Sequence, residues 1–461
     1  MLMDALQAIV GVKFMRRLGL FFLLLAFGLA SARAAGTNLI VWHKATDRVD
    51  ADVHSLSLSH LLQQITSQAG WRVYVEPGTT HNTSAKFKNL PSGEALQMLF
   101  GDLNFALVPQ TNAEPNLYVF TTKMENATRL VHVPATAGVR HAPNELLVRI
   151  KPGVNADALA KLYGAKIIGR IDKLGIYRLE FGSADAADAA LNQLQNNTDV
   201  ADVDYNYYLD PGPAAQALAA ASQPPVNLRL NPPGNSGRLI VGLLDTAVQP
   251  LDGSLNQFLL DQISVAGDAS SDDGTVTHGT AMAETILRAM GVAGQGATSA
   301  QVLPVDVYGS DTDTTSWYVA LGLQAAINKG ATVINMSLGG SGDSSILDYM
   351  VQQAVNDGIV IFAAAGNQPV STPTYPAADP GVIAVTASQN GKIAPYANYG
   401  SFVNLAAPGT SIVYFGGQPW LVQGTSVSTA YMTGLAAGTK TATPLTWTQI
   451  ENSLKQNYPV P

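Results

Sequence analysis

No cysteine occurs among the 461 residues. That excludes a disulfide framework, a thiol nucleophile and thiolate metal sites. Charge is sparse, at 13% of residues against 47% hydrophobic, which leaves ample apolar surface for cores in a chain longer than one typical domain. Positive charge is scarcest in the second half: from Asn227 onward 7 Lys and Arg stand against 15 Asp and Glu, a difference equal to the net −8 of the whole chain. An acidic region of that kind argues against nucleic acid as a partner; its plain reading is a solvated face that aids solubility. Histidine is nearly missing as well. From Ala142 to Pro461 the single one is His278.

A serine hydroxyl is almost never ionised at neutral pH, so a serine nucleophile needs an imidazole to take its proton and a buried carboxylate to hold that imidazole in the right tautomer. In this half only His278 can serve. Asp245 stands upstream of it, at the C-terminal end of an apolar run over residues 239–244 that predicts a buried parallel strand. Catalytic groups collect at such ends. His278 opens a stretch apolar at Met282, Ile286, Leu287 and Met290, which places it at a helix N-terminus. Ser426 follows Gly424 and Thr425 and precedes a small-residue helix over 427–437, where the helix dipole and backbone N–H groups favour a nucleophile.

Taken one at a time these are ordinary residues: a strand-ending Asp is usually a turn, a Ser before a helix usually its cap. Together, in order and at compatible spacing, Asp245-Thr246, His278-Gly279-Thr280 and Gly424-Thr425-Ser426 resemble the subtilisin-like serine proteases, over roughly residues 237–456. The resemblance implies an α/β fold, a parallel sheet flanked by helices, and an Asp245, His278, Ser426 triad acting through an acyl-enzyme. It further implies that Asn367, in Ala363-Ala364-Ala365-Gly366-Asn367, donates its amide to the oxyanion, and that the Ser337-Leu338-Gly339-Gly340 edge binds extended peptide by strand addition. The acyl-side pocket would then have walls from Ala364, Ala365 and Gly366 and from Leu338, Gly339 and Gly340. Its floor would be Thr374, where the family commonly has Gly; the β-branched side chain predicts small or medium apolar residues there. The chain departs from the family at Ala247, Ala281 and Glu284, and at Val427 to Tyr431, positions that perform no proton transfer. The alternative to an enzyme is a catalytically weak or inactive subtilase-fold protein of the cell envelope that binds peptides.

Upstream, Arg16 and Arg17 precede a 13-residue apolar run, 18–30, followed by small-x-small sites, the pattern of an export signal over 1–34 with Met15 as a possible start. At 13 residues the run is shorter than the roughly 20 a membrane span needs. The expected location is secreted or periplasmic. Residues 36–125 alternate strand, helix, strand, strand, helix and two closing strands, with Leu58, Leu61, Leu62 and Ile65, then Leu96, Leu99 and Phe100, as core faces at helical spacing. This order resembles the short N-terminal domain of secretins and TonB-dependent receptors, which implies docking to an envelope protein, or else a folding spacer. Residues 144–209 predict βαββαβ, a ferredoxin-like sandwich. Glu145 to Gly153 and Asp199 to Asp204 resemble subtilase propeptides, so this module is expected to be the enzyme's own chaperone and inhibitor, its tail entering the cleft like substrate.

Residues 210–227, poor in charge and rich in Ala and Pro, predict a flexible linker ahead of a catalytic domain over 228–461. Pro211 and Pro213 make poor cleavage sites, so self-processing is expected within 214–222. No cofactor is expected. The calcium candidates, Asp268, Asp272 and Asp273, and Asp311 with Asp313, are acidic turns of a kind that more often binds nothing. Protein or peptide substrates are the expected partners.

Overall fold

The computed structural model describes residues 39–77, 79–110, 113–131, 139–219, 228–232, 238–268 and 274–461. The export-signal reading therefore lies outside the described residues. Contacts divide the chain into two compact units, residues up to 61 with 81–101, and residues 62–80 with 102–461.

In the larger unit, β-branched runs buried on both faces form a parallel sheet. Its order is Ile263–Ser264, Gln301–Asp306, Ile240–Asp245, Val333–Met336, Val360–Ala364 and Val382–Gln389, with Leu405–Pro408 also on the last and Lys392–Ile393 antiparallel at the edge. One face is covered by helices His278–Ala293 and Thr425–Ala442, the other by Ser316–Asn328 and Ser345–Asn356. The first two helices approach closely because Gly434 and Gly438 carry no side chain: a Cβ would lie 2.3 Å from the Ile286 carbonyl oxygen at the one, and 2.8 Å from that of Met290 at the other. This contact brings the histidine and serine motifs together. A hairpin, Thr410–Phe415 and Gln418–Gln423, turns at Gly416 and Gly417 with φ of 62° and 75°, a left-handed pair suited to a two-residue hairpin turn, and leads into Ser426.

Residues 141–211 run strand, helix, strand, strand, helix, strand. Strands His141–Ile150, Lys166–Ile171, Ile176–Glu180 and Val200–Pro211 form an antiparallel sheet in the order fourth, first, third, second, with helices Ala156–Leu162 and Ala184–Leu194. Its Leu147, Ile171, Ile176 and Leu209 join the core around helices Ser316–Asn328 and Ser345–Asn356. Its polar side chains also cap those helices. Asp204 accepts from the Ser345 N–H at 2.8 Å, and Asn206 from that of Trp317 at 3.0 Å, satisfying donors that a helix leaves open at its start.

The linker expectation is corrected for its first part. Asp210 and Pro211 continue the last strand of the module and pair with Gly339 and Leu338. Gln216–Ala217 pairs with Leu421 and Trp420 of the hairpin. Main-chain pairing takes little from side chains, so an Ala- and Pro-rich stretch can be held as firmly as a Val-rich one. Residues 220–227 lie outside the described residues.

The smaller unit holds an antiparallel sheet, Leu39–His43, Arg48–Ser57 and Asn82–Pro91, with helix Ser92–Phe100 burying Ala95, Leu96, Leu99 and Phe100. The opening strand was not anticipated. In the larger unit a further sheet runs in the order Asn104–Gln110, Ala113–Phe120, Arg72–Val75 and Arg129–Leu130, so this region extends past the expected end at residue 125.

Candidate active site

Asp245 ends its strand with its side chain 1% exposed. One carboxylate oxygen accepts from the Thr246 N–H at 2.7 Å and from His278 Nδ1, also at 2.7 Å. Thr277 caps the histidine helix, accepting from the Thr280 N–H at 3.2 Å, and the Thr246 hydroxyl takes the Gly279 N–H at 2.8 Å. The imidazole is thus fixed from both sides, with Nε2 buried and unpaired.

Ser426 lies in the first turn of helix Thr425–Ala442. Its hydroxyl donates to the Ser337 carbonyl at 3.2 Å, while the Ser337 hydroxyl donates back to the Ser426 carbonyl at 3.1 Å. Beneath them Asn335 donates to the Ser337 hydroxyl and accepts from Thr433, each at 2.9 Å. This buried polar chain was not foreseen; the residues at 335 and 433 carry no local signal of it.

Asn367 accepts from the Thr425 N–H at 2.9 Å through its side-chain oxygen. Asn367, Thr425 and Ser426 all line the cleft. Thr425 also fixes the preceding loop, its hydroxyl accepting from the Gly366 N–H at 3.1 Å.

A cavity of about 410 Å³ adjoins the serine, lined by Ser337, Leu338, Gly339, Ala364, Gly366 and Thr374 among others. Ala365, expected in the wall, is fully buried with its N–H in the sheet and does not line the cavity. Gly340 is a lining residue and is laced to Tyr375 by paired backbone bonds of 2.9 and 2.8 Å. Thr374 sits 7% exposed. Its hydroxyl accepts from Asn398 at 2.9 Å, and its methyl group lies 2.8 Å from where a Gly339 Cβ would be. Thr374 is thus a lining residue whose hydroxyl is held by Asn398.

Glu284 is buried. Burial pushes its pKa up, while Arg288 at 2.7 Å and the Tyr414 N–H at 2.8 Å hold its carboxylate and tie the histidine helix to the hairpin. Among the described residues no three His, Asp or Glu converge as metal ligands. Asp313 faces Arg140 at 3.0 Å, and Asp272 and Asp273 lie outside the described residues.

A strand-end aspartate bonded to a helix-start histidine, beside a helix-start serine and an anchored asparagine, defines a serine hydrolase of the subtilisin arrangement. The subtilase family profile matches residues 236–458, and the profile of the fervidolysin N-terminal prodomain matches 128–206. Subtilisin BL of Lederbergia lenta is 37% identical over 199 residues, 41% of this chain and 73% of its own length. The thermostable alkaline protease of Halalkalibacterium halodurans is 38% identical over 186 residues, 39% of this chain and 51% of its own. The chain thus spans about half the length of the second relative. The fold is shared with fervidolysin from Fervidobacterium pennivorans, described as a keratinolytic enzyme related to subtilisin, at a TM-score of 0.55 and 20% identity over 70% of this chain and 58% of that one. The chain belongs to the subtilase family of serine proteases and carries a fervidolysin-type prodomain.

Proposed function

We propose that the chain is an exported serine endopeptidase. Ser426 attacks the peptide carbonyl, His278 takes and returns the proton, Asp245 holds the imidazole, and the Asn367 amide with the Ser426 N–H receives the oxyanion. The observation that carries this is the 2.7 Å bond between His278 Nδ1 and a buried Asp245, which leaves Nε2 without a partner on the side of Ser426. This chemistry asks for no cofactor. The strand Leu338–Gly339 offers main-chain pairing with little sequence dependence, so selectivity falls to the pocket above Thr374. Small or medium apolar residues should precede the cleaved bond; a peptide-library profile dominated by Phe or Tyr there would contradict this.

Residues 1–34 act in this reading as the export signal, and the region up to residue 130 as a docking module for an envelope protein. A fluorophosphonate probe should label Ser426 in purified mature protein. Absence of label in folded protein would favour a peptide-binding role instead.

A further inference from the structure

Strand Arg72–Val75 has two faces of different character. Val73 and Val75 are fully buried on one, and the alternation of a strand puts Arg72 and Tyr74 on the other. The adjoining strand runs parallel, with Asn116 beside Arg72 and Tyr118 beside Tyr74, and the two tyrosine rings stack at 5.1 Å. The second face of this sheet therefore carries a guanidinium next to a pair of tyrosines.

That guanidinium reaches into the catalytic domain. Arg72 donates to Asp348 at 3.0 Å, to Asp379 at 3.4 Å and to the Ala378 carbonyl at 3.4 Å, and the side chains of the two aspartates are only 7% and 3% exposed. Asp343 also acts on the Arg72 charge, and one of its oxygens is buried without a hydrogen-bond partner. Three carboxylates of the catalytic domain thus share one cation, and the cation belongs to the region ahead of the prodomain. On the prodomain side the same sheet is held less well. Arg129 is buried with Nη1 unpartnered. Burial pushes its pKa down to about 10, against a partial pull from Asp202 of the prodomain, and Asp202 accepts from Arg149 Nε at 2.5 Å. A buried charge stabilises an interface only when it is paired, so Arg72 grips where Arg129 does not.

We propose that the sheet of Asn104–Gln110, Ala113–Phe120, Arg72–Val75 and Arg129–Leu130 is a lasting subunit of the protease: the clamp of Arg72 on Asp348 and Asp379 keeps it on the catalytic domain after the chain between them is cut. The chain ahead of the sheet, with the docking role proposed for it, then stays with the mature enzyme even when the prodomain is lost. The clamp itself stands on its contacts; that the chain is cut rests on the serine-protease reading above.

The test uses full-length Ser426→Ala protein with an affinity tag after Pro461 and a recognition sequence for a site-specific protease within residues 133–138. Once cut there, the N-terminal piece is held without a covalent link, and its retention on the tagged piece is followed on dilution. Truncating one partner of a buried charge pair is felt as faster release, so Arg72→Met and Asp348→Asn should each raise Kd by about 30-fold or more. Together they should fall well short of the product of their separate effects, because both remove the same pair. Arg129→Met should not weaken retention. Arg72→Met leaves the tagged piece unaltered and Asp348→Asn leaves the N-terminal piece unaltered, so misfolding of one piece does not account for a loss seen with both. In tagged wild type with no inserted sequence, the mature catalytic chain should bring down a fragment that holds residues 72–130, identified by mass.

Retention unchanged in both Arg72→Met and Asp348→Asn would overturn the clamp. Mature wild type without the fragment, when the cut Ser426→Ala protein keeps it, would overturn the lasting subunit. A wild type that stays in one piece would count against the protease reading instead, and the cut Ser426→Ala protein would still decide the clamp.

Discussion

Two groups of buried carboxylates lie in the larger unit, and they do opposite things. Asp245 meets one histidine, and that histidine keeps a second nitrogen unpaired. Asp348 and Asp379 meet Arg72, which donates to them at 3.0 and 3.4 Å and to the Ala378 carbonyl at 3.4 Å. Burial alone would lower the Arg72 pKa, but Asp348, Asp343 and Asp379 together hold it well above the usual range. Burial, with the charge of Asp348, pushes Asp379 up against the opposing pull of Arg72. The cation of the second group has no reacting atom to reach. Strong perturbation marks both sites and ion-pair clamps; the difference is an unpaired nitrogen facing a cleft. Arg72 comes from strand Arg72–Val75, so the clamp fastens the region before the prodomain to helix Ser345–Asn356 and to the segment beside the cis Tyr375–Pro376 bond.

The largest effect should come from the site. The enzyme should lose about 10⁴-fold or more of its turnover with either Ser426→Ala or His278→Ala, and the two together should be scarcely worse, because they act as one unit. Thermal unfolding should move little. Additive losses in the double variant would break the unit.

The clamp should behave the other way. Arg72→Met leaves Asp348 and Asp379 buried without their cation, and breaking such a pair costs roughly 3–5 kcal/mol. Urea unfolding in a Ser426→Ala background, where self-digestion cannot intervene, reads this directly. Below the transition, turnover of Arg72→Met should stay within a few-fold of the parent enzyme. A large fall in turnover without loss of stability would mean that the clamp reaches the site through Tyr375, and the contrast between the two groups would fail.

Asn367→Ala sharpens the comparison within the site. Its oxygen is fastened to Thr425, so the amide is positioned before any substrate arrives. Losing one such donor typically costs about 10²- to 10³-fold in kcat, with little change in KM because the contact forms mainly in the transition state. A rise in KM alone would make Asn367 a binding residue.

The part given to Asn367 came only from the resemblance to the family, whereas Asp245, His278 and Ser426 were legible because each lies at the end or start of an element whose hydrophobic period is plain in the sequence. The prodomain was legible for the same reason, and its strands fall within a few residues of the expected bounds. Three things were not. The Arg72 clamp joins residues 276 and 307 positions apart, a distance over which no local pattern carries information. The Asn335 and Thr433 support of Ser337 is likewise non-local. The tail was expected in the cleft but its strand pairing was not, because a Pro-Gly-Pro stretch reads as coil by every propensity, while its partners are strands elsewhere in the chain.

The smallest effect belongs to an exposed carboxylate that has no cationic partner in its shift. Glu76 follows strand Arg72–Val75 and accepts from the Thr122 hydroxyl and N–H at 2.5 and 2.9 Å, and from the Thr121 N–H and hydroxyl at 2.7 and 2.9 Å. Burial is the largest single influence and raises its pKa, but the four bonds from Thr122 and Thr121 together outweigh it and bring the value down to about 2 from 4.5. A carboxylate whose folded pKa is depressed lends stability above its unfolded pKa and loses it as pH falls toward the folded one. The contribution should therefore be full above about pH 4.5 and fade toward about pH 2. Glu76→Gln should be slightly less stable than the parent at neutral pH, and the gap should close over that window when urea midpoints are compared in the Ser426→Ala background. Because the donors are neutral, molar salt should leave the gap in place, whereas it would shrink one that rested on charge. A gap that persisted unchanged to pH 2 would show that the glutamate stabilises by shape rather than by its ionised oxygens.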